Sequence, residues 1–306
     1  MTSMLEQLTT ADTSMFRKKW SSEERLDGKT AIVTGANTGI GKETAWDLAK
    51  RGARVIMGCR NIEEAKDAAN EIIKDTGNTA VVACQLDLAN TKSICDFTEE
   101  IYNMEIPVHI LINNAGVVMC PYEKTTDGFE MHIGVNHLGH FFLTFLMMDL
   151  LKNSAPARII NISSIVHKMG KIQFLDLNSE KSYHPVKAYA QSKLANVLFT
   201  QELAKRLEGT GVAVYAVDPG MVYTNAIRHM NTLIQNIIKK YNFLVKTPAE
   251  GAYTTIYCAV TPGLEHGNGG YYSDCGPSTC CRAARDEESA KLLWKLSCNM
   301  LGIRWR

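Results

Sequence analysis

No run in this sequence approaches the roughly 18 uninterrupted apolar residues that a membrane-spanning helix needs. The nearest, Phe141 to Leu151, is broken by Thr144 and Asp149 and reads as a core or interface helix. The apolar segment of a secretory signal is missing too, since Glu6 and Asp12 precede Arg17-Lys18-Lys19. Met4, Leu5, Leu8, Met15, Phe16 and Trp20 lie beside that basic cluster. They leave two readings for residues 1–26: a flexible tail, or a weak helix on a membrane surface. A cytoplasmic protein, peripheral on the endoplasmic reticulum in the second case, is the expectation.

Charge of one sign is also scarce. A formal net charge of +1 gives no global attraction to nucleic acid, so none is expected as a partner. The nine cysteines, an odd number, show neither a disulfide framework nor a C-x-x-C knuckle. Reduced thiols and no metal site follow. No composition break marks a linker, and 306 residues suit one large α/β domain, residues 27–306, with a well-buried core.

What is present is alternation. Asp27-Gly28 reads as a turn feeding a strand at Thr30 to Thr34. A helix from Gly39 follows, then a strand at Arg54 to Gly58, a helix from Ile62 and a strand at Ala80 to Gln85. A helix from Asn90 leads to a strand at His109 to Asn113. Further on come a helix over Phe129 to Leu151, a strand at Arg158 to Ile162, a helix over Val186 to Leu207 and a strand at Val212 to Val217. Strands alternating with helices, without an internal repeat, predict a single-domain Rossmann-type fold, a doubly wound parallel sheet flanked by helices. Such sheets bind ligands at the carboxyl ends of their strands, and every chemically suggestive segment here follows a strand.

The loop after the first strand reads Gly35-Ala36-Asn37-Thr38-Gly39-Ile40-Gly41. Its glycines allow a pyrophosphate to approach the backbone, and the following helix offers unpaired N–H groups and the positive end of its dipole. Three residues separate the first two glycines, unlike the G-x-G-x-x-G form. An acid at the end of the second strand would bind a ribose 2′-hydroxyl, but Cys59-Arg60 stands there. A guanidinium suits a 2′-phosphate, with Lys42 adding positive potential, so NADPH/NADP is favoured over NAD. The bland alternative makes Arg60 a surface-turn residue. Asp87 suits either the adenine edge or a helix N-cap. Asn114-Ala115-Gly116, after the fourth strand, would let the cofactor lie against the backbone.

The chemistry is carried by Tyr189 and Lys193, one helical turn apart. Reducing a carbonyl takes a hydride on carbon and a proton on oxygen. Free tyrosine, with a pKa near 10, is a weak acid for this task. The neighbouring ammonium, together with the positive oxidised nicotinamide, is expected to stabilise tyrosinate. Tyr189 is then the acid in reduction and the base in oxidation, and Lys193 also holds the nicotinamide ribose. A hydroxyl to hold the carbonyl oxygen is offered by Ser163-Ser164, just after the strand ending at Ile162.

These motifs, from Asp27 to about Pro219, resemble the short-chain dehydrogenase/reductase family, and within it the retinol dehydrogenase branch. The resembling runs include Gly35 to Lys42, Val135-Asn136-His137-Leu138-Gly139-His140, Ser192 to Asn196 and Leu301-Gly302-Ile303-Arg304-Trp305. The resemblance selects Ser164 of the two serines. It gives Asn136 a role in linking the lysine to solvent through a water, against the plainer reading that it satisfies a backbone carbonyl. It implies that the loop containing Pro219, Gly220 and Thr224 passes over the nicotinamide, Thr224 touching the carboxamide. Members of the branch usually reduce retinals and other lipophilic aldehydes with NADPH, and family members often form homodimers through the helices at 129–151 and 186–207. Most begin with an apolar anchor that this sequence does not show.

The residues around the expected site are apolar. Val117, Val118, Met119 and Tyr122 follow the fourth strand, Val222 follows the sixth, and 225–246 is an amphipathic stretch suited to a cover. An apolar aldehyde or alcohol, a retinoid above others, is the expected substrate. The alternatives are a reductase of other lipid carbonyls, such as peroxidation-derived aldehydes or steroids, and a dinucleotide-binding sensor without turnover.

Overall fold

The computed structural model describes residues 20–222 and 246–305. Thr224 and nearly all of the amphipathic stretch from Asn225 lie outside the described residues, as does the basic cluster at 17–19. One sheet organises the chain, with β1 (Thr30–Thr34), β2 (Arg54–Cys59), β3 (Val81–Gln85), β4 (Ile110–Asn113), β5 (Ala157–Ile162), β6 (Val212–Asp218), β7 (Tyr271–Ser273) and β8 (Gly276–Pro277). Their spatial order is β3-β2-β1-β4-β5-β6-β7-β8, parallel from β3 to β7 and antiparallel only at the β7–β8 hairpin. The order reverses between β1 and β4, so their loops meet at the crevice where such sheets bind ligands.

Both faces of the sheet are covered, which is why its strands are almost wholly apolar rather than alternating. Val33, Met57, Ile112, Ile160 and Tyr215 face a layer formed with α1 (Gly39–Lys50), α2 (Ile62–Thr76) and α7 (Pro248–Val260). Their neighbours Ile32, Ile56, Leu111, Ile159 and Val214 face the opposite layer. That layer contains α3 (Thr91–Asn103), α4 (His140–Leu146), α5 (Met148–Asn153), α6 (Pro185–Arg206) and α8 (Glu287–Met300). The one-residue offset is the pleat of a strand buried on both sides. Pro185 starts α6 at a position where its missing N–H costs nothing, and the helix is buried almost all round from Ala188 to Ala204.

The predicted alternation matches the structure within one or two residues at most boundaries, with two differences. Phe129 to Leu151, expected as one helix, is divided into a π-helical turn over Ile133–Gly139, then α4 and α5. A side chain at Gly134 would strike Thr125 in the loop after β4, and one at Gly139 would strike the Leu88 backbone after β3, so this segment is packed tightly against those loops. The packed body also begins before Asp27. Trp20 meets Tyr257 edge to face at 5.7 Å, Leu26 is buried, and Arg51 donates to the carbonyls of Ser22 and Glu24.

Candidate active site

The loop after β1 is built for close approach. Gly35 has φ +65°, and a Cβ there would lie 3.0 Å from Ala115; one at Gly41 would strike the Gly35 carbonyl. Gly39 is also left-handed, at φ +58°. At the start of α1, Thr38 is extended and makes no side-chain cap, and no acid occupies the first turn. The first amides of α1 are therefore directed at the space above β1 with a favourable dipole and no competing carboxylate. These features fit a dinucleotide pyrophosphate, with Asn37, Thr38 and Ile40 as the loop residues around it.

Thr34 ties this loop to the one after β4. Its hydroxyl oxygen accepts from the N–H groups of Asn114 and Ala115, both at 2.9 Å, while the Asn114 amide donates to the Thr34 carbonyl at 2.8 Å. His140 Nε2 lies 2.9 Å from the same hydroxyl and its Nδ1 lies 3.1 Å from the Asn136 carbonyl. With Nδ1–H donating to that carbonyl, Nε2 accepts the Thr34 proton, and every group is satisfied. Complete burial pushes His140 down to about 3, so it serves this bridge as a neutral ring.

Arg60 is exposed at the end of β2 and pairs with no carboxylate among the described residues. Lys42 differs from expectation, because it is ion-paired with Glu71 and its charge is partly compensated. Asp87 does not cap a helix: Asn90 caps α3, while the Asp87 carboxylate accepts from Ala89 N–H at 2.9 Å. The turn leaves its second oxygen without a hydrogen-bond partner among the described residues.

The catalytic candidates converge beyond β4 and β5. A Cβ at Gly116 would lie 3.1 Å from Asn136 Oδ1 and 3.7 Å from Lys193 Nζ, so this glycine borders both. Asn136 is fully buried; its amide donates to the Val117 carbonyl at 3.0 Å and to Ser192 Oγ at 2.9 Å, and its oxygen accepts from Val117 N–H at 2.8 Å. These bonds match the plainer of the two readings of Asn136. Lys193 Nζ donates to the Ile162 carbonyl at 3.1 Å and sits 5.7 Å from the centre of the Tyr189 ring. Ser163 Oγ donates to the Lys193 carbonyl at 2.8 Å, leaving Ser164 to face the tyrosine.

Electrostatics differ from the expected lowering of the phenol. Burial pushes Tyr189 up to about 12; a hydrogen bond with Ser164 pulls it back and the Asp218 charge pushes it further up. Burial also pushes Lys193 down to about 8, against the attraction of Asp218. For both groups desolvation is the largest effect, and for Tyr189 it outweighs the Ser164 hydrogen bond. Tyr189 therefore rests protonated, the state that an acid in carbonyl reduction requires.

The comparisons decide the family. The short chain dehydrogenase family model matches residues 29–233. Human retinol dehydrogenase 12 is 54% identical over 281 residues, covering 92% of this chain and 89% of that protein. Mouse retinol dehydrogenase 11 is 53% identical over 283 residues, with 92% and 89% coverage. This chain is a short-chain dehydrogenase. Among solved structures, an uncharacterized protein from Mycobacterium paratuberculosis is similar, with TM-score 0.78 and 32% identity, covering 94% of this chain and all of that one. The Pseudomonas aeruginosa RhlG/NADP active-site complex aligns with TM-score 0.67 and 26% identity, covering 81% and 95%. The chain is thus an enzyme of an oxidoreductase family that binds nicotinamide dinucleotides.

In this short-chain dehydrogenase three further residues support the site without an obvious sequence signal. His167, buried beneath the turn that carries Ser164, lies with Nδ1 2.7 Å from the Ser164 carbonyl and Nε2 3.2 Å from Cys281 N–H. Glu130 caps the start of the π-helical turn through His132 N–H and Ile133 N–H, both at 2.9 Å, and pairs with His132 Nδ1 at 2.6 Å. Tyr183 donates to the Cys120 carbonyl at 2.6 Å and stacks near His132. Together the last two fix the loop holding Val118 and Met119, both half-buried, with Met119 at φ +48°. The only warning in sequence was polar residues in an apolar stretch.

After β6, Asp218 accepts from Gly220 N–H at 3.0 Å, and Lys246 donates to the Pro219 carbonyl at 3.3 Å while pairing with Asp274 at 2.6 Å. Val222 bridges to Lys246 and lies against Gly251 at the start of α7. Pro219, Gly220 and Val222 are therefore held beside the glycine loop, since Gly251 also borders Ile40.

Proposed function

We propose that this enzyme is an NADPH-dependent reductase of retinal and related apolar aldehydes, working reversibly. The observation that carries the reading is the cluster of half-buried Ser164 with buried Tyr189 and Lys193 beyond the end of β5, on a chain whose loops after β4 and β6 carry half-buried Val118, Met119 and Val222. The similar proteins named retinol dehydrogenase 11 and 12 support a retinoid within the apolar class. Arg60, exposed and without an ion-pair partner among the described residues, favours the 2′-phosphate form of the cofactor.

When bound, the cofactor supplies the hydride. Gly35 to Gly41 and the start of α1 would hold its pyrophosphate, Arg60 its 2′-phosphate and Asp87 its adenine. Asn114, Ala115 and Gly116 would lie along its middle, with Pro219, Gly220 and Thr224 at the nicotinamide. Lys193 would bind the nicotinamide ribose. Ser164 donates to the carbonyl oxygen, orienting it and stabilising the charge that develops there. Tyr189 then gives its proton to that oxygen, and Lys193 stabilises the phenolate left behind. Asn136 holds the Val117 peptide so that the β4 loop closes over this proton path. A membrane surface as the place of work agrees with an apolar substrate, and among the described residues no helix is long and apolar enough to cross a bilayer.

The test is NADPH oxidation with all-trans-retinal, set against NADH and against Tyr189→Phe. Turnover that prefers NADPH and disappears in the variant is the expected result. Failure with retinal but turnover of shorter aldehydes would move the substrate to other lipid carbonyls.

A further inference from the structure

One carboxylate bridges the gap between the glycine loop and the end of β2. The strands β1 and β2 are parallel neighbours, and Gly35 N–H donates to the Gly58 carbonyl at 2.8 Å, so the two segments lie side by side. Glu64, exposed on the first turn of α2, spans them. Asn37 of the glycine loop donates its amide to one Glu64 oxygen at 2.8 Å. Asn61, the residue after Arg60, donates its amide to the other, also at 2.8 Å. Asn61 caps α2 as well, its oxygen accepting from Glu64 N–H at 3.3 Å. A dinucleotide whose pyrophosphate rests on the glycine loop sends its adenosine ribose across this gap toward β2.

Two neighbouring acids are paired with cations: Glu63 with Lys66 at 2.9 Å, and Glu71 with Lys42. Glu64 has no cation as partner among the described residues. Its bonds come from neutral amides, which fix the carboxylate in place without offsetting its charge. That charge reaches the floor of the gap. Burial pushes the Cys59 thiol up to about 11, the backbone N–H groups of Ala36, Asn37 and Gly35 pull it back, and Glu64 adds to the rise. The positive end of α2 lies at the same gap, but Glu63 and Glu64 in its first turn offset it. With Lys42 engaged by Glu71, Arg60 is left to meet a 2′-phosphate while a carboxylate four residues further on is held toward the same ribose.

We propose that Glu64 is a specificity-determining residue that works against Arg60. Its carboxylate repels a 2′-phosphate and accepts a hydrogen bond from the 2′-hydroxyl of the unphosphorylated ribose, so the site admits NADH beside NADPH and its preference between them is small. The proposal rests on the reading of Arg60 as the partner of the 2′-phosphate. It also gives Asn37 and Asn61 a task, since their amides hold Glu64 at the ribose instead of turning to the phosphate.

The experiment is calorimetric titration of the full chain with NADP+ and with NAD+, no carbonyl substrate being present, for the parent, Glu64→Gln, Glu64→Lys and Arg60→Ala. Glu64→Gln should tighten NADP+ by about threefold to tenfold, the size of one screened charge interaction near a surface, and the gain should shrink as salt is raised. NAD+ should bind to this variant no more tightly than to the parent. Glu64→Lys should tighten NADP+ further, which keeps the test open if the glutamine variant disturbs the start of α2. Arg60→Ala should weaken NADP+ and leave NAD+ nearly unchanged. Glutamine and lysine variants that bind both dinucleotides as the parent does would overturn the role of Glu64. A loss of NADP+ affinity in both would overturn it as well, making the carboxylate a mere support for Asn37. Unchanged NADP+ binding in Arg60→Ala, alongside a gain in the Glu64 variants, would uphold Glu64 and refute the reading of Arg60 instead.

Discussion

His167 holds Ser164 by its main chain. The ring Nδ1 lies 2.7 Å from the Ser164 carbonyl, and the Cys281 N–H at Nε2 fixes the tautomer in which Nδ1 is the donor. The hydroxyl that faces Tyr189 is thus positioned by a histidine that takes no part in proton transfer, and the histidine is positioned by the segment after β8.

Removing this support should affect the rate more than binding. His167→Ala is expected to lower kcat by about tenfold to a hundredfold with KM little changed, because a displaced Ser164 loses its alignment in the transition state. His167→Asn places an amide N–H where Nδ1 stood and should recover part of the loss. Steady-state kinetics of the three proteins decide the matter; equal loss in both variants would argue against positioning through Nδ1.

The proposed preference for NADPH rests on one exposed side chain, Arg60. Arg60→Glu should raise the KM for NADPH by about tenfold or more while leaving NADH turnover in place, because the carboxylate repels a 2′-phosphate and can bind a 2′-hydroxyl. Paired kinetics with the two cofactors measure it. Lys42 is not expected to compensate, being paired with Glu71.

The buried lysine carries a stability penalty whose sign is opposite to that of a paired surface lysine. Its folded pKa, pushed down to about 8, lies below the ordinary 10.5, so the unfolded chain binds the extra proton between those values. The penalty is full below pH 8, fades as pH rises, and is absent above 10.5. Lys193→Met should therefore abolish turnover yet raise the melting temperature of the nucleotide-free protein by a few degrees at pH 7. Asn196 still donates to the Ile162 carbonyl in that variant. Melting curves should show the gap between the two proteins narrowing from pH 8 to 10.5; a constant gap would refute the linkage. Tyr189 acts in a higher window, where its raised pKa destabilises both proteins as pH passes from 10 toward 12.

The sheet was legible because strands buried on both faces are uninterrupted apolar runs, each ended by a glycine or polar loop. The glycine loop, Tyr189 and Lys193 were legible because their spacing is set by chemistry. The break within 129–151 was not, since it arises from contacts of Gly134 with Thr125 and of Gly139 with Leu88, both distant in sequence from any periodic signal. Nor was the role of 267–281. Its strand, Tyr271–Ser273, is too short to show a period of two, and its support of Ser164 passes through Cys281, whose N–H meets the His167 ring and whose Sγ meets the His167 carbonyl. The pKa of Tyr189 was missed for a related reason, as helical spacing places a lysine nearby without revealing how completely both groups are desolvated.

The last helix bears on association. Family members often pair through the helices at 129–151 and 186–207, but here Phe141, Phe145 and Phe199 on those helices meet Trp305, at 4.9, 5.3 and 6.3 Å between ring centres. Trp294 of α8 lies 5.0 Å from Phe141 and 4.5 Å from Trp305, with Arg206 above it at 4.3 Å. The chain covers with its own C-terminal segment the aromatic face that a partner would need. The full chain should therefore run as a monomer at micromolar concentration in sedimentation equilibrium. Trp305→Ala should lower unfolding free energy by about 2–4 kcal/mol in urea titrations, because it opens a cavity among four aromatic rings. The same variant should gain a concentration-dependent dimer as the uncovered phenylalanines seek a new partner. A parent enzyme that is already dimeric, and whose dimer is unchanged by Trp305→Ala, would show that association uses another face.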